Sequence, residues 1–493
     1  MPRLTIAANF TGIKSFYTLI GEELNASPAI GIDILTGGSI RTLSGKNTIT
    51  GNGTGSNALS GFGILGSAGT GIRNNGSINT GWGDDTINGT GTGGDGGTSL
   101  GTGIGGKGGD GIGISNAGNI NTSGDKDTIN STGNGGDGGD GGIGNGTGSK
   151  GGNGGDGIGI SNTGSINTSL GNYTITIKST GNGGDGSIGG ELNGGNGGTG
   201  GAGTGISNSD TLNGGRGNDA IAGTGTGGNG GNGGNGGINS NPNGGTGGTG
   251  GTGTGISNSD TLNTGNGEDT ITGIGTGGNA GNGGNGIING TNGNGGIGGT
   301  GIGISNSGTL NTGNGEDTIT GIGIGGNSGT GNISGANATA YGIFNTGVID
   351  TGKGKDILTG QATVTIGSTA YGIYGQGTIK TGDGNDKIIA TSTIDEVQQK
   401  VSIGGDIAFD LGRGDDYFKG FGSATVDGGS GFDTLDLSAF DRCDLTILGE
   451  TSGNDLNFAT IAYNNNGDAI TLSTTGFENF IFADGSFSYS TLT

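Results

Sequence analysis

Apolar residues in this chain come in pairs set nine positions apart around a glycine-rich turn: Leu262/Ile271, Leu310/Ile319, Ile349/Leu358, Ile379/Ile388 and Phe409/Phe418. That spacing accommodates two short strands joined by a tight turn. Thr318-Ile319-Thr320 alternates polar and apolar residues, so Ile319 faces a core while both threonines face outward. This is the pattern of a half-buried strand and not of a helix.

The pairs belong to a larger repeat. Residues 255–273 reproduce residues 303–321 almost letter for letter, and one acidic position of the frame recurs at Asp85, Asp127, Asp219, Asp269, Asp317, Asp356, Asp386 and Asp416. From Asp219 onward the intervals are 50, 48, 39, 30 and 30 residues, so insertions enter at one place in an otherwise constant unit. Thr339-Ala340-Tyr341-Gly342-Ile343 and Thr369-Ala370-Tyr371-Gly372-Ile373 lie 30 residues apart, which sets the insert-free turn. Repeats of this kind predict an all-β fold, a parallel β-solenoid of the β-roll or β-helix type. With rungs ~4.8 Å apart, roughly ten turns make a rod about 50 Å long. Asparagine precedes the first strand of each unit at Asn74, Asn116, Asn162, Asn208, Asn258, Asn306 and Asn345, and in register these side chains form an amide ladder. The expected organisation is a short segment or cap over 1–38, repeats over 39–436, and a C-terminal β cap over 437–493.

Composition constrains what fills the rod. Glycine supplies 139 of 493 residues, proline 3, and hydrophobic residues only 26%. Without proline the chain is not collagen, and glycine at this level carries a large entropic cost unless turns or close packing require it. Much of it lies in inserts between residues 90 and 300, such as Gly227-Gly228-Asn229-Gly230-Gly231-Asn232. A strict Gly-Gly-x triplet fits an extended helix of three residues per turn, and it equally fits a solvated loop. The net charge of −23 excludes nucleic acid as a partner and favours cations. The absence of histidine and the single Cys443 remove imidazole chemistry and any internal disulfide. No apolar run approaches the ~20 residues of a membrane-spanning helix. The start, Met1-Pro2-Arg3-Leu4-Thr5-Ile6, lacks the apolar centre of a signal peptide.

The glycine turns carry the candidate chemistry. Calcium takes six to eight oxygen ligands, a mixture of carboxylates and carbonyls. A G-x-G-x-D turn supplies one carboxylate and inward carbonyls, and two stacked turns supply enough oxygens for a site between rungs. Gly428-Gly429-Ser430-Gly431-Phe432-Asp433-Thr434-Leu435-Asp436 resembles in full the G-G-x-G-x-D-x-U-x nonapeptide of the RTX, or haemolysin-type, calcium-binding proteins. That resemblance implies Ca²⁺ held by Asp85, Asp219, Asp269, Asp317, Asp356, Asp386, Asp416 and Asp433. Filling the five gaps from Asp219 to Asp416 would take the formal charge from −23 to −13. The frame departs from the family in having one metal turn per 30–50 residues. It also degenerates at three places: Asn47 and Tyr173 replace the aspartate, and Ser123-Gly124-Asp125-Lys126-Asp127 loses the glycine pattern. The stretch Thr475–Ser486 resembles the closing segment of RTX proteins, which implies export by a C-terminal signal to the cell surface or beyond.

Enzymatic domains attached to such repeats have no room in residues 1–38, and His-Glu-x-x-His requires histidine. The remaining alternatives are a β-helical polysaccharide enzyme using Asp84/Asp85 or Asp415/Asp416, and an ice-binding solenoid using outward Thr-x-Thr pairs such as Thr318/Thr320. A non-enzymatic surface or adhesive rod, with calcium ions and cell-surface polysaccharide or other surface proteins as partners, is the expectation. Trp82, in a turn, is expected to be exposed.

Overall fold

Each repeat folds as three strands. For the unit quoted above these are Gly301–Asn306, Thr309–Asn311 and Thr318–Ile324, here termed the leading, short and long strands. In this computed structural model, residues 2–492 are described except 13–15, 62, 143–147, 169–175, 185–187, 189–193, 238–242, 337, 366, 452–456 and 466. Each strand pairs in parallel with its counterpart one repeat away: Ile304 with Ile256 on one side and Ile343 on the other, Leu310 with Leu262 and Ile349, and Ile319 with Ile271 and Leu358. Among the described residues the leading and short strands belong to a 25-stranded sheet that also takes in three antiparallel strands near the C-terminal end, and the long strands belong to a 15-stranded sheet with two short antiparallel additions, so the chain is a parallel β-solenoid.

The stack starts earlier than the sequence reading placed it. Leu4–Ile6 pairs with Ala29–Ile34, Asn9–Thr11 with Ser39–Arg41, and Tyr17–Ala26 with Asn47–Gly55. The described strands within residues 1–38 therefore form the first rung and the start of the second, at the near end of the stack. The glycine motif is missing there, but parallel pairing needs only the apolar alternation. At the far end, Thr434–Leu437 pairs in parallel with Asn479–Phe482. The strands Leu445–Thr451, Asn457–Asn465 and Asp468–Thr475 pair antiparallel with one another and close the stack. Phe421, Phe440, Phe477 and Phe480, all fully buried, fill this end.

Two kinds of interior lie side by side in each rung. At the G-x-G-x-D edge, one aliphatic residue from each strand stacks into three columns, and Ile304, Leu310 and Ile319 are each 0% exposed. Beyond them the inward positions of the long and leading strands are glycine. A Cβ at Gly273 would lie 2.2 Å from the Gly303 carbonyl oxygen, so the two sheets touch backbone to backbone. Where this seam ends, Ala340, Ala362, Val364 and Ala370 take over as a small apolar cluster.

The described parts of the Gly-Gly-x inserts are hydrogen-bonded to one another. They run outward from the long strand and back into the next leading strand, forming a wing with no side chains between its layers. In the outgoing leg Gly228 N–H donates to Gly201 O (2.9 Å) and Gly230 N–H to Asn279 O (2.7 Å), and the same pair of bonds recurs at Gly231 and Gly233. The third residue of each triplet faces solvent and joins a surface ladder: Asn279 and Asn282 backbone N–H groups donate to Asn229 and Asn232 Oδ1 at 2.9 and 2.8 Å. Three-residue periodicity therefore reflects one solvent face and two packed faces, the extended-helix reading rather than the loop.

The asparagines before the first turn form the expected amide ladder. From Asn74 to Asn345 each Nδ2 donates to the next Oδ1 at 2.7–2.8 Å, and all are buried. Asn258 Nδ2 also donates to Asp260 O and Thr309 O. Replacing Asn258 with alanine leaves buried donors and acceptors unmatched on both sides, which should cost about 2–4 kcal/mol in denaturant unfolding. The exposed Asn266→Ala should change stability by less than about 0.5 kcal/mol.

Candidate metal centre

The turn glycines are dictated by stacking. Gly315 (φ 150°), Gly354 (φ 139°) and Gly384 (φ 157°) lie one above another, and a Cβ at Gly354 would sit 1.5 Å from the Gly315 carbonyl oxygen. Between the glycines, Lys353 N–H donates to Gly313 O (2.9 Å) and Gly315 N–H to Lys353 O (2.7 Å), so the turns are stitched together rung by rung. This backbone arrangement accounts for G-x-G without any ligand. The case for a metal therefore rests on the aspartates.

Each aspartate sits just before a long strand and turns inward. Asp219, Asp269, Asp317, Asp356, Asp386, Asp416 and Asp433 form one continuous column, each at most 2% exposed. One carboxylate oxygen is used within the fold: the N–H groups of Asp219, Asp269, Asp317, Asp356 and Asp386 donate to Oδ1 of the next aspartate at 2.7–2.8 Å. Asp416 N–H donates likewise to Asp433 Oδ1 (2.9 Å), and Asp433 N–H to Glu478 Oε2 (2.8 Å), which ends the column. The other oxygen, Oδ2 of Asp269, Asp317, Asp356, Asp386, Asp416 and Asp433, is buried and makes no hydrogen bond. The Thr312 hydroxyl lies close enough to ease the charge on Asp317. Its one proton is shared between that carboxylate and Thr351 O at 3.2 Å, and Thr264, Thr351 and Thr381 stand likewise beside Asp269, Asp356 and Asp386.

Burial therefore disfavours the charged form from Asp269 to Asp433. It pushes Asp317 and Asp416 up to about 7 and Asp386 and Asp433 up to about 6, with neighbouring carboxylates adding to the effect. Asp269 and Asp356 are raised for the same reason. Two unscreened carboxylates one rung apart repel by about 3–4 kcal/mol at an effective dielectric constant near 20. A proton or a cation would relieve the charge that the backbone N–H groups and threonine hydroxyls leave on the column at neutral pH.

A second, shorter column holds Asn47, Asp85 and Asp127. Asn47 and Asp85 N–H groups donate to Asp85 and Asp127 Oδ1 at 2.8 and 2.9 Å. Asp127 is buried and pushed up to about 7 by desolvation, so it keeps its place although its turn is degenerate. Asp125 there takes the positive φ (68°) that glycine holds elsewhere, a conformation aspartate tolerates. Tyr173, the next position in the frame, lies outside the described residues. Trp82 is 56% exposed, and its ring lies over Gly124. In the Asp84/Asp85 and Asp415/Asp416 pairs the first member is exposed and the second buried, so neither pair shares a face.

Sequence reading missed Glu478, whose neighbour Asn479 pairs with Thr434, placing the glutamate in register with Asp433. Its turn, Thr475-Gly476-Phe477-Glu478, is shorter than G-x-G-x-D and carries no motif. Among the described residues no three His, Cys, Asp or Glu side chains converge on one point. A cation here would have to be held by carboxylate pairs and backbone carbonyls, an all-oxygen donor set that suits calcium. No helix among the described residues is long and apolar enough to cross a membrane. Comparison with protein-family models, curated proteins and solved structures gives no match.

Proposed function

We propose that the chain is a structural, non-enzymatic calcium-binding solenoid, exported to the cell surface or beyond, whose aspartate column takes up Ca²⁺ between rungs. The reading is carried by the buried Oδ2 atoms of Asp269 through Asp433, which make no hydrogen bond. An unpaired buried carboxylate costs several kcal/mol. Evolution of a purely structural turn could replace it with asparagine, as happens at Asn47. The all-oxygen surroundings, the net charge of −23 and the resemblance of the turns to RTX nonapeptides support the same reading. A rod of this kind suits a surface layer or an adhesive role, with cell-surface polysaccharide or other surface proteins as partners.

Calorimetric titration of chelator-treated protein with Ca²⁺ tests the proposal. Binding is expected, accompanied by a gain of β-sheet circular dichroism. Asp317→Ala, which interrupts the long column, should lose at least one site and lower cooperativity. Exposed Asp415→Ala should bind as the parent does. Undiminished Ca²⁺ uptake by Asp317→Ala would rule the column out as the site.

A further inference from the structure

Asn47 occupies the aspartate position of the second rung and is 1% exposed. Its Nδ2 donates to three oxygens: Gly45 O of its own turn (2.8 Å), Thr80 O of the next rung (3.2 Å) and Asp85 Oδ1 of the next rung (2.9 Å). All three are acceptors, which places the amide nitrogen, not its oxygen, among them. Its backbone N–H bonds to Asp85 Oδ1, the same bond that links Asp85 to Asp127 and each rung from Asp219 onward to the next as far as Asp433. In the long column Oδ1 of each aspartate reaches back to the preceding rung, so Oδ2 points toward the following one, where Nδ2 of Asn47 points.

By that register, Oδ2 of Asp317 lies on the side of the following rung, beside the Thr312 hydroxyl of its own rung, whose single proton is also claimed by Thr351 O. A buried carboxylate oxygen with no more than a shared hydroxyl proton calls for a further positive centre. Oδ2 of Asp317 is buried and makes no hydrogen bond, which is an independent sign that something is required there.

We infer that Asn47 is a built-in substitute for the cation, its amide hydrogens doing in the first gap what a bound ion does in the others. This inference rests on the calcium reading and deepens it: the gap between rungs at 47 and 85 is closed to metal and metal-independent, whereas the gaps from Asp219 to Asp433 are not. Residue choice at one position thus decides, rung by rung, whether the stack needs an ion. Asn47 is a specificity-determining residue that no motif search would select, because it is where the motif fails.

The test uses the full-length protein with Ca²⁺ as the only added ligand, in two reciprocal variants. Asn47→Asp should bind one more Ca²⁺ than the parent and melt at a lower temperature in chelator, with the deficit removed by Ca²⁺. Asp317→Asn should bind at least one fewer and melt several degrees higher in chelator. If Asn47→Asp does not fold in chelator but folds in Ca²⁺, the inference is supported. If the parent binds Ca²⁺ and Asn47→Asp gains no site, or Asp317→Asn gains no stability in chelator, the inference is overturned while the calcium reading stands. A parent protein that binds no Ca²⁺ overturns both.

Discussion

In chelator, the solenoid should melt at a higher temperature at pH 5 than at pH 8. An unfolded aspartate titrates near 3.9. In the folded chain, burial raises Asp386 and Asp433 to about 6 and Asp127, Asp317 and Asp416 to about 7. The folded state therefore holds protons that the unfolded state has released, and a raised carboxyl stabilises fully below its unfolded value. That stabilisation is lost as pH climbs from about 4 through 6–7, at up to about 1.4 kcal/mol per pH unit for each group. On the proposed reading calcium reverses the outlook, because it would bind the deprotonated column. Saturating Ca²⁺ should thus raise the melting temperature far more at pH 8 than at pH 5. Differential scanning calorimetry at the two pH values, with and without Ca²⁺, decides the matter. A chelated protein that grows more stable toward pH 8 would show that the carboxylates are compensated within the fold itself.

The second large effect is steric. Gly354→Ala should abolish cooperative folding or cost more than about 4 kcal/mol, since the new methyl would lie 1.5 Å from a backbone oxygen that its rung cannot move. Gly37, with φ 83° and nothing within 4 Å of a built Cβ, provides the contrast. Its alanine variant carries only the left-handed backbone strain, about 1–2 kcal/mol. Both should be measured by denaturant unfolding in chelator and in Ca²⁺. The Gly354 penalty is expected in both conditions. A penalty seen only with Ca²⁺ would mean the glycine serves the ion and not the stack.

What the sequence disclosed follows from which interactions are local. Leu310 and Ile319 revealed two strands and a turn because strand alternation is written within three residues. Asn306 revealed a ladder because an identical residue at an identical frame position has only its own copies as neighbours. The glycine wing stayed ambiguous, since Asn279 meets Asn229 fifty residues away and a triplet carries no sign of its partner. Asp127 and Glu478 hold places in the aspartate columns without the motif. For Glu478 the register comes from the pairing of Thr434 with Asn479, which only the folded cap establishes. The first rung was overlooked for the same reason: its strands share the stack but not the turn.

The glycine seam and wing also bear on durability outside a cell. Proteases hold their substrates as extended strands, gripping side chains in pockets and pairing with a free backbone edge. From Gly217 to Gly352 the chain contains no lysine or arginine, so a trypsin-like enzyme has no residue to grip across that stretch. In the wing most positions offer only a hydrogen atom as a side chain, and the backbone groups that a protease would pair with are already bonded to neighbouring legs. A segment whose composition resembles an easily digested linker is thereby turned into one that offers a digestive enzyme almost nothing to bind.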